Sequence, residues 1–230
     1  MIFLSARFRK PHALLAGVFF AAVCHAAPDA AEVLAAARMN PLGQDISLDA
    51  RLRTGQAVTP FRIVVDGAIR YQFADPEQEL ILELGEDSSS LSERLGRKTS
   101  DIRSARLDDR VRGTGITYED LALKFLYWKA PKMLGEETIR TRRAWKLELQ
   151  SGRDSSQYGV ARLWVDQESG ALLRIEGYDR QGRLLRRFEV ISAQKLDGQW
   201  MLKQMRVETL DPATKKIADR SYLEVLGRTQ

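Results

Sequence analysis

The sequence predicts a mainly β protein: a single, strongly curved antiparallel sheet with a few helices packed in its concave face. Three observations predict it. From Ile46 onward, apolar and polar residues alternate with a period of two over most of the chain. The alternating runs are divided by short turns carrying Gly, Asp, Ser or Pro, far too short for the crossovers that parallel strands need. Finally, one short stretch within Gly113 to Pro131 reads as a helix with too little polar face to lie on a surface.

The chain has 230 residues, and its first 26, MIFLSARFRKPHALLAGVFFAAVCHA, read as a secretory signal. Arg7, Arg9 and Lys10 open it, Ala13 to Val23 form its apolar run, and Cys24-His25-Ala26 ends it with a site for cleavage after Ala26. The apolar run is too short for a confident membrane span, so no stable membrane anchor is expected after cleavage. Val23 is too large for the residue preceding a lipid-modified cysteine. Periplasmic localisation follows as the expectation, with residues 27–230 forming one domain.

Removing the leader changes the chemistry on offer. It takes three of the 36 basic residues, leaving 33 against 31 acids and a net charge of +2, which gives no reason to expect nucleic-acid binding. His12, His25 and Cys24, the whole complement of His and Cys, leave with it. The mature chain thus lacks the residues for Ser-His-Asp or Cys-His catalysis, thiolate chemistry, disulfides and the usual zinc sites. No calcium-type Asp spacing is present and no cofactor motif stands out, so neither metal nor cofactor is expected. Paired acids such as Glu119-Asp120 and Glu136-Glu137 point in different directions as adjacent residues, and no enzyme is expected.

Residues 28–40 form an Ala-rich helix, with Pro28 and Asp29 suited to its first turn. ISLDARLRTG, FRIVVDGAIRYQFA and QELILELG read as three strands, and the Ser-rich residues 86–101 as a loop or connector. Strands then fall near 137–150, 158–166, 171–178, 183–194, 199–210 and 216–226. About nine long strands in one sheet must twist and curl, leaving a concave side to be filled.

The stretch GTGITYEDLALKFLYWKAP supplies the filler. Thr117 and Asp120 have the spacing of a capping box, Ile116 and Leu121 that of a hydrophobic staple, and Pro131 stops the helix. Tyr118, Leu121, Phe125 and Trp128 are expected on one face, with Leu123, Leu126 and Tyr127 on the flanks. Such a helix is a plug. Its side chains serve either as ordinary core or as one wall of a dry slot suited to an acyl chain. The candidate walls are Leu121, Phe125 and Trp128 from the plug. Leu163, Val165, Leu173 and Ile175, expected on one face of a hairpin, come from the sheet, with Met201 and Met205 as adaptable gap-fillers. The basic run Arg140, Arg142, Arg143 and Lys146 reads as a solvated face, with docking of an anionic lipid headgroup or an acidic partner as the alternative.

Several of these segments, in this order, resemble the outer-membrane lipoprotein-sorting protein family, relatives of the periplasmic lipoprotein carrier LolA. They are Thr117-Tyr118-Glu119-Asp120-Leu121 after its Gly-rich lead-in, Leu134-Gly135-Glu136-Glu137, and the strand Tyr158 to Asp166. GYDRQGRLLRRFEV and LDGQWMLKQMRVETL extend the match over about residues 113–226. The resemblance implies an unclosed half-barrel, LolA-like, with helices in its mouth. It implies a carrier for a lipid or the acyl chains of a lipoprotein, with an inner-membrane exporter and an outer-membrane acceptor as partners, and no catalytic residue. A sensor or scaffold half-barrel that binds a protein partner is the alternative.

Overall fold

The computed structural model describes residues 28–39, 45–152 and 156–229. The secretory leader expected over residues 1–26 lies outside the described residues. Helix α1 (Ala30–Met39) begins where Asp29 Oδ1 accepts from the backbone N–H of Ala31, and its Val33, Leu34 and Ala37 are buried. Six strands follow: β1 (Ile46–Thr54), β2 (Ala57–Val65), β3 (Ile69–Phe73), β4 (Gln78–Leu84), β5 (Ser89–Leu95) and β6 (Lys98–Asp101). Helix α2 (Tyr118–Ala122) stands in the middle of the chain. Seven more strands complete the fold: β7 (Lys132–Ile139), β8 (Arg142–Gln150), β9 (Val160–Asp166), β10 (Leu172–Tyr178), β11 (Leu184–Leu196), β12 (Gln199–Leu210) and β13 (Ile217–Arg228).

All thirteen strands join one antiparallel sheet in the order β6-β5-β4-β3-β2-β1-β13-β12-β11-β10-β9-β8-β7. Sequential strands are neighbours except β6 and β7, and the pairing of β1 with β13 brings the first and last strands together at the centre. The sheet does not close, because β6 and β7 are both edges. It is strongly curved nonetheless. The turn Lys124–Tyr127 touches both β5 and β8, which stand ten strand spacings apart in the sheet. A flat sheet would separate them by about 48 Å at ~4.8 Å per strand. The sheet therefore wraps the segment that follows α2, as an unclosed half-barrel.

The mainly β, single-sheet expectation holds, with more strands than the alternation suggested. FRIVVDGAIRYQFA is two strands, because Gly67 takes a φ of +87° and turns the chain between β2 and β3. The run near 137–150 is likewise a hairpin, turned at Arg140 with φ +58°. Residues 86–101 hold β5 and β6 rather than a loop. Only Leu91 and Glu93 of β5 are buried, so the segment lacks the apolar alternation of a strand and acquires its pairing from β4.

The concave face carries the main core, which includes Leu34 of α1, Ile63, Leu80, Leu163, Val207 and the residues of the plug. The outer face is a checkerboard of charge. Glu176, Glu189 and Glu208 lie buried beneath Arg174, Arg187, Arg206 and Arg220 of neighbouring strands. Each arginine stem covers its neighbour while its head pairs with a carboxylate.

Candidate functional site

The expected plug is present in two pieces. Thr117 caps α2 with the full capping box: the Asp120 N–H donates to Thr117 Oγ1, and the Thr117 N–H donates to Asp120 Oδ2 at 2.7 Å. The free N–H groups of the first turn are satisfied by Leu107 and Asp109 carbonyls. The helix does not run on to Pro131. It ends at Leu123, fully buried with φ +52°, and a 3-10 turn over Lys124–Tyr127 follows. A left-handed conformation costs a non-glycine residue roughly 1–2 kcal/mol. A straight helix would aim its apolar residues in every direction. The break lets Leu121, Phe125, Leu126 and Trp128 all enter the core of the curled sheet.

Polar latches hold the segment. Ser89 Oγ donates to the Ala122 carbonyl at 2.5 Å, Tyr127 Oη to the Gly85 carbonyl at 3.0 Å, and Arg38 Nε to the Leu126 carbonyl at 2.6 Å. The Arg38 guanidinium also lies 4.8 Å from the centre of the Tyr127 ring. At the far end of the plug, the Trp128 indole N–H is buried with no hydrogen-bond partner among the described residues.

Beneath α2 lies a buried polar cluster. Tyr158 Oη donates to Asp120 Oδ1 at 2.5 Å, and Arg186 Nε stands 3.2 Å from Asp120 Oδ2. Arg186 also donates to the Gly115 carbonyl and, at 3.0 Å, to Thr209 Oγ1. The Gly115 N–H donates to Ser221 Oγ at 2.9 Å. Burial and the neighbouring Asp120 push the Tyr158 phenol well above its ordinary pKa, so it stays a donor. Glu119 accepts from the Gln157 N–H at 3.2 Å, and burial raises its carboxyl above the usual range. The cluster ties the plug to β11, β12 and β13 and fixes the approach of α2.

Of the candidate slot residues, Leu121, Phe125, Trp128, Leu163, Val165, Ile175, Met201 and Met205 belong to the concave core. Between plug and sheet, a crevice lined by Leu121, Ile116, Leu52, Phe61, Tyr71 and Leu223 measures about 10 Å³, the room of one water at most. Leu173 is a correction. It packs with Ile139, Ala144 and Trp164 on the outer face, opposite to Ile175. A bulge between Leu172 and Arg174 adds one residue against β9 and turns Leu173 over. There it borders a second cleft of about 280 Å³ with Ile139, Val190, Ala193 and Trp200, rimmed by Arg140, Arg142, Asp166 and Glu168. Arg142 reaches Asp166 through Nε and Nη2 at 2.8 and 2.7 Å, Arg143 pairs with Glu136, and Lys146 with Glu137 at 2.9 Å. The basic run is a paired, half-exposed surface.

A family described as "Uncharacterized protein" matches residues 96–222, more than half of the chain. The chain belongs to that family. Its fold is LolA-like. It resembles an outer-membrane lipoprotein-sorting protein domain from Vibrio parahaemolyticus, with a TM-score of 0.67 at 17% identity over 85% of this chain and 89% of that one. A LolA superfamily protein from Nitrosomonas europaea matches with a TM-score of 0.62 at 20% identity, covering 87% and 92% of the two chains. A DUF1329 family protein from Desulfovibrio piger matches with a TM-score of 0.61 at 17% identity, covering 86% and 92%. Comparison with curated proteins returns no match.

Within this LolA-like frame, Arg186 and Tyr158 were missed as members of the central cluster. Tyr158 left one signal. It stands just before the alternating strand, and Gly177, on the neighbouring strand, has no side chain where the Tyr158 ring packs: a Cβ there would come within 2.5 Å of it. Arg186 is indistinguishable by sequence from Arg187 beside it, though one faces the core and the other the outer surface.

Proposed function

We propose that this LolA-like protein is a non-catalytic periplasmic carrier that binds a lipid, or the acyl chains of a lipoprotein, between its plug and its sheet. Leu121, Phe125, Trp128, Leu163, Val165, Ile175, Met201 and Met205 form the walls, and the crevice beside Leu121 is where the slot opens. Opening requires the plug to swing outward about Leu123, which lies in a strained conformation between two short helical pieces. The observation that carries the reading is the Trp128 indole N–H, a buried donor at the end of an apolar plug, without an acceptor among the described residues. An ester or carboxyl oxygen at the head of an acyl chain satisfies such a donor, while the chain lies along the aromatic walls.

Native mass spectrometry of the protein purified from its own cell envelope tests this. A co-purifying hydrophobic mass, released by organic solvent, is the expected result. Purified protein free of any such mass, and unable to take up a fluorescent fatty acid, would sink the reading.

The nearly filled interior favours a second reading, a scaffold or sensor whose half-barrel holds a protein partner and whose plug is permanent core. In that case the plug is indifferent to fatty acids.

A further inference from the structure

The outer cleft lies where β11 parts from β10. Their pairing ends at Arg174 opposite Glu189, yet β11 continues to Leu196 and stays paired with β12 on its other side, with two register shifts between Val190 and Ala193. The bulge at Leu173 and the turn at Gly170 carry β10 away from it. Residues 190–196 therefore have one edge paired and one edge open, and no backbone hydrogen bond joins the open edge to any described residue. Burial changes at the same point: Phe188 and Glu189 are buried, and no residue from 190 to 196 is.

The open edge borders the apolar cleft of about 280 Å³, with Leu173, Ile139 and Trp200 in its walls. Trp200 is 40% exposed, an unusual place for a large aromatic. Arg140 stands at the rim and is half exposed. Among the described residues it pairs with Glu189 alone, at 3.5 Å, and Glu189 is already held by Arg174 at 2.8 Å. Arg142 is committed to Asp166 and Glu168. Arg140 is thus the rim cation held least closely.

We propose that this notch is a docking site for an extended peptide segment of a partner protein. The segment adds as a strand along residues 190–196, sets an apolar side chain in the cleft, and places an acidic side chain on Arg140. Backbone hydrogen bonds supply affinity in strand addition, and every second side chain supplies specificity. Seven residues span about 23 Å at ~3.3 Å each, enough for one short linear motif. An amphiphile would fill the cleft and leave the backbone edge unmatched. A second copy would offer the same edge, whose sequence VISAQKL contains no acid to meet Arg140. The site is on the opposite face from the acyl slot and does not depend on it.

The test uses fluorescein-labelled heptapeptides that alternate Val and Thr, with either Glu or Lys replacing one Thr. Fluorescence anisotropy reads affinity, and hydrogen exchange reads location. The Glu peptides should bind at least tenfold more tightly than the Lys peptides and slow exchange in residues 190–196. Arg140→Glu should reverse the preference, and Arg140→Gln, which removes the charge without setting a second acid beside Glu189, should abolish it. Failure to slow exchange in 190–196, or equal binding of the two peptide sets, would overturn the proposal. So would protection of 190–196 that grows with protein concentration alone, marking a second copy, or loss of bound peptide on adding oleate, marking an amphiphile site.

Discussion

The phenol of Tyr158 donates its proton to Asp120 Oδ1 at 2.5 Å, on the carboxylate whose other oxygen caps the plug helix and faces Arg186. One buried side chain therefore joins the plug, the segment that leads into β9, and β11. Removing the phenol oxygen leaves Asp120 short of a donor in a site closed to water. Tyr158→Phe should cost about 1–3 kcal/mol in urea denaturation. Asp120→Ala removes the reciprocal half of the capping box and strands the Arg186 charge, and should cost about 3–5 kcal/mol. The double variant should cost clearly less than the sum, since both changes act on one network. Strict additivity would refute the coupling.

The Tyr158 ring takes its place because Gly177 yields it. A Cβ at 177 would lie 2.5 Å from the ring. Gly177→Ala should destabilise by about 1–3 kcal/mol through overpacking. Combining it with Tyr158→Ala should recover part of that loss, measured by the same denaturation series. If the alanine costs as much without the ring as with it, the close approach is not the cause.

Acid titration should reveal two opposed contributions. Glu93 is held below the usual carboxylate range by its hydrogen bond from Arg106, so its stabilisation is present above the unfolded pKa and lost as pH falls through the lower folded value. Glu119 is raised by burial. Its contribution is fully present below the unfolded pKa and is lost as pH rises through the higher folded value. Glu119→Gln should therefore gain stability relative to the parent as pH rises through that window, and the gain should vanish in acid. A difference that is the same at every pH between acid and neutral would contradict the assignment.

Trp128→Phe deletes the unpaired indole N–H and keeps an aromatic wall. In the acyl-slot reading, affinity for a fluorescent fatty acid should fall about 2- to 12-fold, the worth of one hydrogen bond of 0.5–1.5 kcal/mol. Phe125→Ala should lower that affinity as well, and should cost up to about 3–5 kcal/mol of stability as a buried core residue. Unchanged affinity in both variants would place the ligand elsewhere.

Much of this architecture was legible because its turns carry their own chemistry. Gly170, Gly182 and Asp197-Gly198 mark the hairpins of the C-terminal half, and Thr117 with Asp120 marks the cap of the plug. The turn at Asp66-Gly67 carries an equally strong signal, which the alternation on both sides of it masks. Arg140 carried none: an arginine with positive φ makes the β7–β8 turn without glycine or proline. Strand β5 hid in a Ser-rich run because its burial comes from the neighbouring β4 and the plug rather than from its own alternation. The bulge at Leu173 reverses a face that strict alternation assigns with Ile175, and a bulge is set by pairing that no single strand records. The break at Leu123 has the same origin. Local propensity favours an unbroken helix, and the enclosing sheet prefers two pieces.

Hydrogen exchange of the plug with and without oleate tests the central claim most directly. If an acyl chain lies between plug and sheet, saturating oleate should alter exchange across residues 117–128 and leave residues 190–196 unchanged, with emission from Trp128 shifting to the blue. Oleate that binds without touching exchange in 117–128, or no binding at all alongside a full 3–5 kcal/mol penalty for Phe125→Ala, would make the plug permanent core and contradict the account.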